Sequence, residues 1–573
     1  MRRFALRAMP LAIIAAVLAV TLPGAVGSGG AQAKAKRYVV VYKAGYSPVQ
    51  ARAAVRAAGG AIVRENKKIG VATVSSANED FLAAVAGKKA LVGAARDRPI
   101  GTTVPRKARK GDIERLSAVR EASKSWPEKA APRRNNGRGE PLAPLQWDMR
   151  QIRATVNGSY SKQPGRRGVL VGIIDTGIDG SHPDIRANFA AGLSRNFTTD
   201  IPLIDGPCAE DPDGSCRDPA DVDENSHGTH VAGTVGSPLN DLGMAGVAPN
   251  VRVVNLRAGQ DSGFFFLQPS VDALTYAADH GIDVVNMSYF IDPWLYNCAD
   301  HPKDSPEEQS EQRAIIEATN RALDYAYAHG VALIAASGNE NHDLGWPKKH
   351  DDVSPDYPPG NEKDRTVDNS CVDLPTEGNH VMSINSTGPT KRKAYYSNYG
   401  VEQTTVAAPG GDFRDHWGSP RYRTPGNLIL APYPKAVAIE FEELNPDGTP
   451  NTPFVVRDCK GQTCAYYQWI QGTSMASPHA VGVAAVIISE FGRSDQAHGG
   501  LRLNPAVTQR LLEDTAQETP CPSPRRFTYP DPDLPADLKT ALCRGVKAYN
   551  GFYGFGIVDA LAAATGDVNH GRR

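Results

Sequence analysis

The sequence predicts an α/β protein whose main body is a mostly parallel sheet with helices on both faces, preceded by a small α+β unit. Three observations predict it. Apolar runs of strand length at residues 169–174, 251–256, 283–287 and 331–335 lack in/out alternation, as strands buried on both faces do. Helical segments such as 270–280 and 311–329 lie between them, and that alternation is the pattern of a parallel sheet. Near the amino end the order strand, helix, two strands, helix, strand fits a split βαβ unit.

Composition bounds the function. The chain has 573 residues, room for two to four domains, with 41% hydrophobic and 22% charged residues, which excludes a fully disordered chain. Lys+Arg and Asp+Glu are both 63, so there is no basic excess of the kind a nucleic-acid binder shows. Gly 55 and Pro 43 point to long loops.

In chain order, residues 1–33 predict a signal peptide. Arg2, Arg3 and Arg7 precede an apolar run at 11–22, and Ala31-Gln32-Ala33 fits an A-x-A cleavage site. The run is shorter than the roughly 20 residues that span a bilayer, so an uncleaved anchor is the lesser reading. Either a general secretory or a twin-arginine route fits Arg2-Arg3. A secreted, extracellular chain without membrane attachment is expected. The eight cysteines agree, because exported chains pair them. Short loops Cys208–Cys216, Cys459–Cys464 and Cys521–Cys543 are expected, which leaves Cys298–Cys371. No two C-x-x-C pairs stand at zinc spacing.

Residues 37–100 form the small unit. It has a strand at 38–42 bounded by Gly45, a helix at 48–58, β-rich runs at 62–63 and 71–74, and a helix at 80–86. Residues 101–143 change character, with Arg106-Lys107-Ala108-Arg109-Lys110, Pro127, Pro132 and Arg133-Arg134. This reads as an exposed basic linker with a processing site. The cluster could also meet nucleic acid, but the neutral overall charge favours the linker. The main body runs from 144 to 565, and 566–573 is a tail.

In parallel sheets the working residues gather where the strands end, and three segments there carry chemistry. Asp175 follows the run 171–174 and precedes Thr176-Gly177; alone, it reads more readily as a turn cap. Asn225-Ser226-His227-Gly228-Thr229-His230 opens a small-residue helix, and its two histidines, three apart, also suit metal ligation or polar filling. Gly472-Thr473-Ser474-Met475-Ala476 precedes the apolar run 480–488; Ser474 is either a helix N-cap or a nucleophile at a helix start. Together they are more specific. A hydroxyl needs a base to attack, and the base needs a carboxylate to fix its tautomer. Ser474, His227 and Asp175 supply those parts. Ser474 lies in G-x-S-x-A, and the order Asp, His, Ser differs from that of α/β-hydrolases. Gln260-Asp261-Ser262-Gly263 looks like another serine loop, but no matching histidine motif accompanies it.

On these residues the chain resembles the subtilisin-like serine proteases (subtilases), whose triad also runs Asp, His, Ser. Matching blocks are Ile174-Asp175-Thr176-Gly177-Ile178-Asp179 with His182-Pro183-Asp184, His227-Gly228-Thr229-His230-Val231-Ala232-Gly233, Ala336-Ser337-Gly338-Asn339-Glu340 and Gly472-Thr473-Ser474-Met475-Ala476. Gly246-Val247-Ala248-Pro249 and Ala407-Ala408-Pro409-Gly410 also fit, and the likeness spans about 147–564. It implies a subtilisin-like three-layer domain, with residues 37–100 similar to the family's ferredoxin-like inhibitory propeptide. It implies a self-processing zymogen of a serine endopeptidase acting on protein or peptide substrates. Ser474 would be the nucleophile, His227 the base, Asp175 its orienting acid and Asn339 an oxyanion donor. A monomer is expected, and no cofactor for the chemistry.

Two departures bear on substrate. Where the family continues from Ser288 with Leu-Gly, this chain has Tyr289-Phe290. Ser288, Phe290 and Gly338 are the expected substrate-binding residues, and a bulky Phe290 predicts small or medium residues before the scissile bond. Residues 200–223, 341–369 and 412–467 look like insertions. The resemblance also raises a structural calcium at Asp184 and Leu239-Asn240-Asp241, whose oxygens suit that ion; Asp184 as a plain turn cap is the alternative. Met475 is open to peroxide or is plain packing. An inactive scaffold would lack one of Asp175, His227, Ser474 or Asn339, and all are present. An esterase would use the same groups.

Overall fold

The computed structural model describes residues 35–97, 139–210, 214–358 and 360–568. The expected signal peptide, nearly all of the expected linker and the end of the tail lie outside the described residues.

The small unit has β1 (Lys36–Tyr42), α1 (Pro48–Ala57), β2 (Ala61–Asn66), β3 (Val71–Ser76), α2 (Phe81–Ala86) and β4 (Leu91–Arg96). Its antiparallel sheet has the order β2-β3-β1-β4, the split βαβ arrangement expected. Ser47 and Gln50 form a capping box ahead of Pro48, which fixes where α1 starts. Alternation along β1 divides its burial. Tyr38 and Val40 face the unit's own core with Val55, Val74 and Phe81. Val39 and Val41 pack into a core of the main body.

The main body is built on β5 (Leu170–Ile174), β6 (Arg195–Asn196), β7 (Arg252–Arg257), β8 (Val284–Met287), β9 (Ala332–Ala336), a short antiparallel pair β10 (Lys349–Asp351) and β11 (Arg365–Val367), then β12 (Val381–Thr387) and β13 (Thr404–Pro409). Seven strands form one sheet in the order β13-β12-β9-β8-β5-β7-β6, and every pairing in it is parallel. Both faces of β5 are buried. Val171 and Ile173 enter one core with Val231, Val235 and Val483; Leu170 and Ile174 enter the other with Val271, Leu274 and Leu323. This is why the run shows no alternation.

The helices of the main body include α3 (Trp147–Gln151), α4 (His227–Gly236), α5 (Leu267–Asp279), α6 (Pro306–Ala328), α7 (Lys435–Glu440) and α8 (Thr473–Phe491). Helix α6 starts five residues before the expected 311, because Ser305 and Glu308 form a capping box with Pro306 at the first position. Helix α8 is apolar all round and buried along nearly its whole length, as a core helix must be. Residues 429–470 of the third insertion fold as an antiparallel sheet of β14 (Ile429–Pro432), β15 (Val455–Lys460) and β16 (Thr463–Ile470). All four expected disulfides are present: Cys208–Cys216, Cys298–Cys371, Cys459–Cys464 and Cys521–Cys543.

Candidate active site

Sheet register brings the candidate residues to one edge. Ile174 pairs with Met287, Met287 with Ala335, and Ile384 with Ala336. Asp175, Ser288 and residues 337–339 therefore leave three neighbouring strands at the same carboxyl end.

Asp175 is fully buried, and His227 Nδ1 stands 2.7 Å from its Oδ1. The Thr176 N–H donates to the same oxygen at 2.8 Å. With Nδ1–H committed to the carboxylate, Nε2 is the imidazole's basic atom. The amino end of α4 can approach because residue 228 has no side chain: a Cβ there would lie 2.1 Å from Gly177 O. Asp223 holds that helix start. Its Oδ1 accepts from Thr176 Oγ1 (3.0 Å), Asn225 N (3.1 Å) and Ser226 N (2.9 Å), and its Oδ2 from Thr229 N (2.9 Å) and Thr229 Oγ1 (2.6 Å). Ser226 is thereby kept at φ 87°, a costly left-handed conformation directly before His227.

Ser474 is the second residue of α8. Ser288 Oγ donates to Ser474 O at 3.0 Å, and Ser474 Oγ lies 3.4 Å from Ser288 O. Ser288 is itself set by Asn286 Nδ2 at 2.9 Å, and Asn286 Oδ1 accepts from Ser477 Oγ at 2.8 Å. Asn339 reaches the same helix start, its Oδ1 accepting from Thr473 N (3.0 Å) and Thr473 Oγ1 (2.9 Å). Gly338, at φ 95°, makes the turn that allows this. With Oδ1 anchored, the Asn339 amide presents its Nδ2 as the donor end.

Other expected residues separate from this group. His230 turns away from His227: its Nε2 lies 3.2 Å from both Ile429 O and Gln468 O, and burial lowers its pKa to about 3. It stays neutral and shares no ligand position with His227. Ser262 caps Asp205, with Oγ 2.7 Å from Oδ1, in the loop that only resembles a serine motif. Phe290 packs towards Tyr296, Leu344 and Cys371, a cluster to which the second insertion adds Leu344, Val353 and Val367. Among the described residues Asp200, Asp218 and Asp261 converge, but the buried Arg257 guanidinium already pairs with all three.

Asp184 and Asn240 do meet, Asn240 Nδ2 donating to Asp184 Oδ1 at 2.9 Å. Met244 N (3.1 Å) and Tyr467 OH (3.0 Å) donate to Oδ2. Glu140 joins them, its Oε1 accepting from Asn240 N (2.8 Å) and Asp241 N (3.2 Å), while Oε2 is buried with no hydrogen-bond partner. Burial raises the pKa of both carboxyls. An orphaned carboxylate oxygen beside a second buried carboxylate fits a hard cation.

Thr473, Asp223 and Glu140 were not singled out from the sequence. Asp223, four residues ahead of His227 and just before a helix, carried the signal of an Asx cap. Thr473 and Glu140 carried none, since their partners lie more than a hundred residues away or in loops.

Comparisons with known proteins give the family and the fold. A family profile described as the subtilase family (Peptidase S8) matches residues 166–556. The chain is 26% identical over 387 residues to fervidolysin of Fervidobacterium pennivorans, covering 66% of this chain and 41% of that protein. It is 27% identical over 349 residues to subtilisin DY of Bacillus licheniformis, covering 59% and 84%. It thus spans about two fifths of fervidolysin's length and most of subtilisin DY's. The crystal structure of the epidermin leader peptide processing serine protease EpiP from Staphylococcus aureus shares the fold, with a TM-score of 0.57 at 20% identity, over 94% of this chain and 99% of that one. That of fervidolysin does so with a TM-score of 0.53 at 21% identity, over 96% and 63%.

Proposed function

The chain belongs to the subtilase family, and from that premise we propose that it is a secreted serine endopeptidase made as a self-processing zymogen. The observation that carries this reading is the 2.7 Å contact between His227 and the fully buried Asp175, on the sheet edge where α8 presents Ser474. Ser474 Oγ attacks the scissile carbonyl and passes its proton to His227 Nε2. His227 then protonates the leaving amine, and water repeats the sequence on the acyl-enzyme. Asp175 holds the tautomer and stabilises the imidazolium. The Asn339 Nδ2–H and the Ser474 N–H, the latter in the first turn of α8, stabilise the oxyanion. Loss of such a donor costs about 3–4 kcal/mol, a value that comes from subtilisin itself.

Residues 37–100 act as the intramolecular inhibitor. Their docking onto α5 and α6 supports this. Arg64 pairs with Asp272, Thr73 Oγ1 donates to Gln268 Oε1 at 3.0 Å, and Asn66 Nδ2 donates to Thr275 Oγ1 at 3.0 Å. Arg321 Nη1 donates to Tyr42 O at 2.8 Å, and Glu311 accepts from the Arg96 N–H at 2.9 Å. A structural calcium would be held by Asp184, Glu140 and Asn240, where it would tie the loop at 239–244 to the residues just before α3. It takes no part in the chemistry.

Labelling with a serine-directed fluorophosphonate, followed by amino-terminal sequencing, tests the reading. Modification of Ser474 and a mature terminus within residues 101–143 are expected. A chain that hydrolyses short esters but not casein, or labelling that survives Ser474→Ala, overturns it.

A further inference from the structure

A slot lies beside Ser474, and its walls can be traced by hydrogen bonds. One wall is residues 288–291, leaving β8. The second is residues 336–340, leaving β9. Residues 373–376 close the gap between them: the Ile291 N–H donates to Leu374 O at 2.8 Å, and Thr376 Oγ1 donates to Ala336 O at 2.5 Å. The open end is at the nucleophile, where Ser288 Oγ meets Ser474 O at 3.0 Å. A carbonyl held between Ser474 and Asn339 carries its own residue's side chain one carbon away. That side chain enters this slot.

Acidic residues belong to two of the joined segments. Glu340 follows Asn339 directly and lies over Gly338: a Cβ on residue 338 would come 2.7 Å from Glu340 Oε2. Asn398 Nδ2 donates to that oxygen at 2.7 Å and holds it in place. Asp373 is buried at the head of the closing segment. Glu340, Asp373 and Glu377 all act on one buried phenol, Tyr296, whose pKa is pushed up chiefly by burial and further by these charges. Lys349 feels Glu377 and Asp373, but its ammonium is committed to Leu344 O (3.1 Å), Trp346 O (3.4 Å) and Asn369 Oδ1 (3.1 Å). These walls therefore carry acidic groups, while the neighbouring lysine is committed to other partners.

We propose that Glu340 and Asp373 make the enzyme select lysine or arginine as the residue immediately before the scissile bond. This rests on the endopeptidase reading above and replaces the expectation of small or medium residues, which Phe290 alone suggested. The physical ground is asymmetry. A cationic side chain entering the slot finds carboxylate partners, whereas a neutral one excludes water from those carboxylates and offers nothing in return. The sequence between the small unit and the main body supplies matching bonds, with Arg106, Lys107, Arg109, Lys110, Arg133 and Arg134.

The test uses the matured enzyme and a series of peptide anilides that differ only in the residue before the scissile bond. For arginine or lysine kcat/KM should exceed that for leucine or phenylalanine by about a hundredfold. Asp373→Asn and Glu340→Gln should each lower the arginine-to-leucine ratio by about tenfold or more, the loss falling on the arginine arm. Fluorophosphonate labelling of Ser474 reports whether each variant is folded; if Asp373→Asn fails to label, Glu340→Gln decides alone. A labelled enzyme that cleaves leucine and arginine peptides alike, or a ratio unmoved in the labelled variants, overturns the proposal and leaves the endopeptidase reading standing. An enzyme that neither labels nor cleaves any peptide overturns both.

Discussion

Thr473 fixes the Asn339 carboxamide at two points, its N–H at 3.0 Å and its Oγ–H at 2.9 Å both donating to Asn339 Oδ1. The residue next to the proposed nucleophile thus aims the proposed oxyanion donor. Thr473→Val keeps the backbone donor and the side-chain shape but removes one hydrogen bond. It should lower kcat about tenfold with little change in KM, a loss of roughly one hydrogen bond's worth of orientation. Asn339→Ala should lower kcat by about 10²–10³. Steady-state kinetics on one peptide substrate checks both; a raised KM at unchanged kcat would assign Asn339 to ground-state binding.

Asp223 touches no substrate, yet it accepts five hydrogen bonds that set the start of α4. Asp223→Ala leaves buried donors unsatisfied and releases Ser226 from its left-handed conformation. It should cost about 2–4 kcal/mol of stability and also lower kcat, because His227 is the next residue. Asp223→Asn retains acceptors at Oδ1 and should lie between. Thermal unfolding and kcat, measured on the same preparations, distinguish this from a purely structural role, in which kcat of the folded fraction would not move.

Much of this molecule was legible because its signals are local. The uninterrupted apolar run before Asp175 fixes a doubly buried strand, whereas the apolar pattern alone starts α6 at 311 and misses the box of Ser305 and Glu308. The candidate site was legible as three short segments, of which Asp175 leaves a strand while His227 and Ser474 lie at helix starts. Contacts decided by the insertions were not. Phe290 turns towards Tyr296 and Leu344 because Leu344, Val353 and Val367 of the second insertion join Leu295, Tyr296, Cys298 and Cys371 in a hydrophobic cluster there, and residues 341–369 have no periodicity to announce it. Glu140 is linked to Asp184 through Asn240, across a separation that no spacing rule spans. Asp373 became a slot residue only when the bonds from Ile291 and to Ala336 showed which walls it joins.

The Glu140–Asp184 site predicts a stability that depends on both calcium and pH. Burial raises both carboxyl pKa values. A raised folded-state pKa gives stability that is fully present below the unfolded value near 4 and is lost as pH rises through the folded one. The cation-free protein should therefore weaken from mild acid towards neutral and alkaline pH, where two buried carboxylates ionise side by side. Bound calcium offsets that loss by an amount set by its concentration over Kd. Chelation should lower Tm at pH 8 and have little effect near pH 4, and Glu140→Gln should reduce the difference. A Tm indifferent to chelator at pH 8 would remove the ion from the proposal.

The disulfides predict an order of importance that follows the chain length each one closes. Cys298–Cys371 spans 73 residues and Cys459–Cys464 only 5. Loop-closure entropy assigns the first about 4 kcal/mol and the second about 2 kcal/mol. Position widens the gap. Cys459 and Cys464 face each other across the hairpin of β15 and β16, whose backbone pairing holds that register in the folded protein without the bridge. Cys371 instead anchors the segment that leads into Asp373 and the slot wall. Replacing Cys298 and Cys371 by alanine should lower Tm several times more than replacing Cys459 and Cys464. It should also blur discrimination at the residue before the scissile bond, which the second pair should leave intact. Calorimetry and the anilide series, run on both double variants, measure the two effects separately; equal Tm losses would show that the entropy of the unfolded loop is not what these bridges contribute.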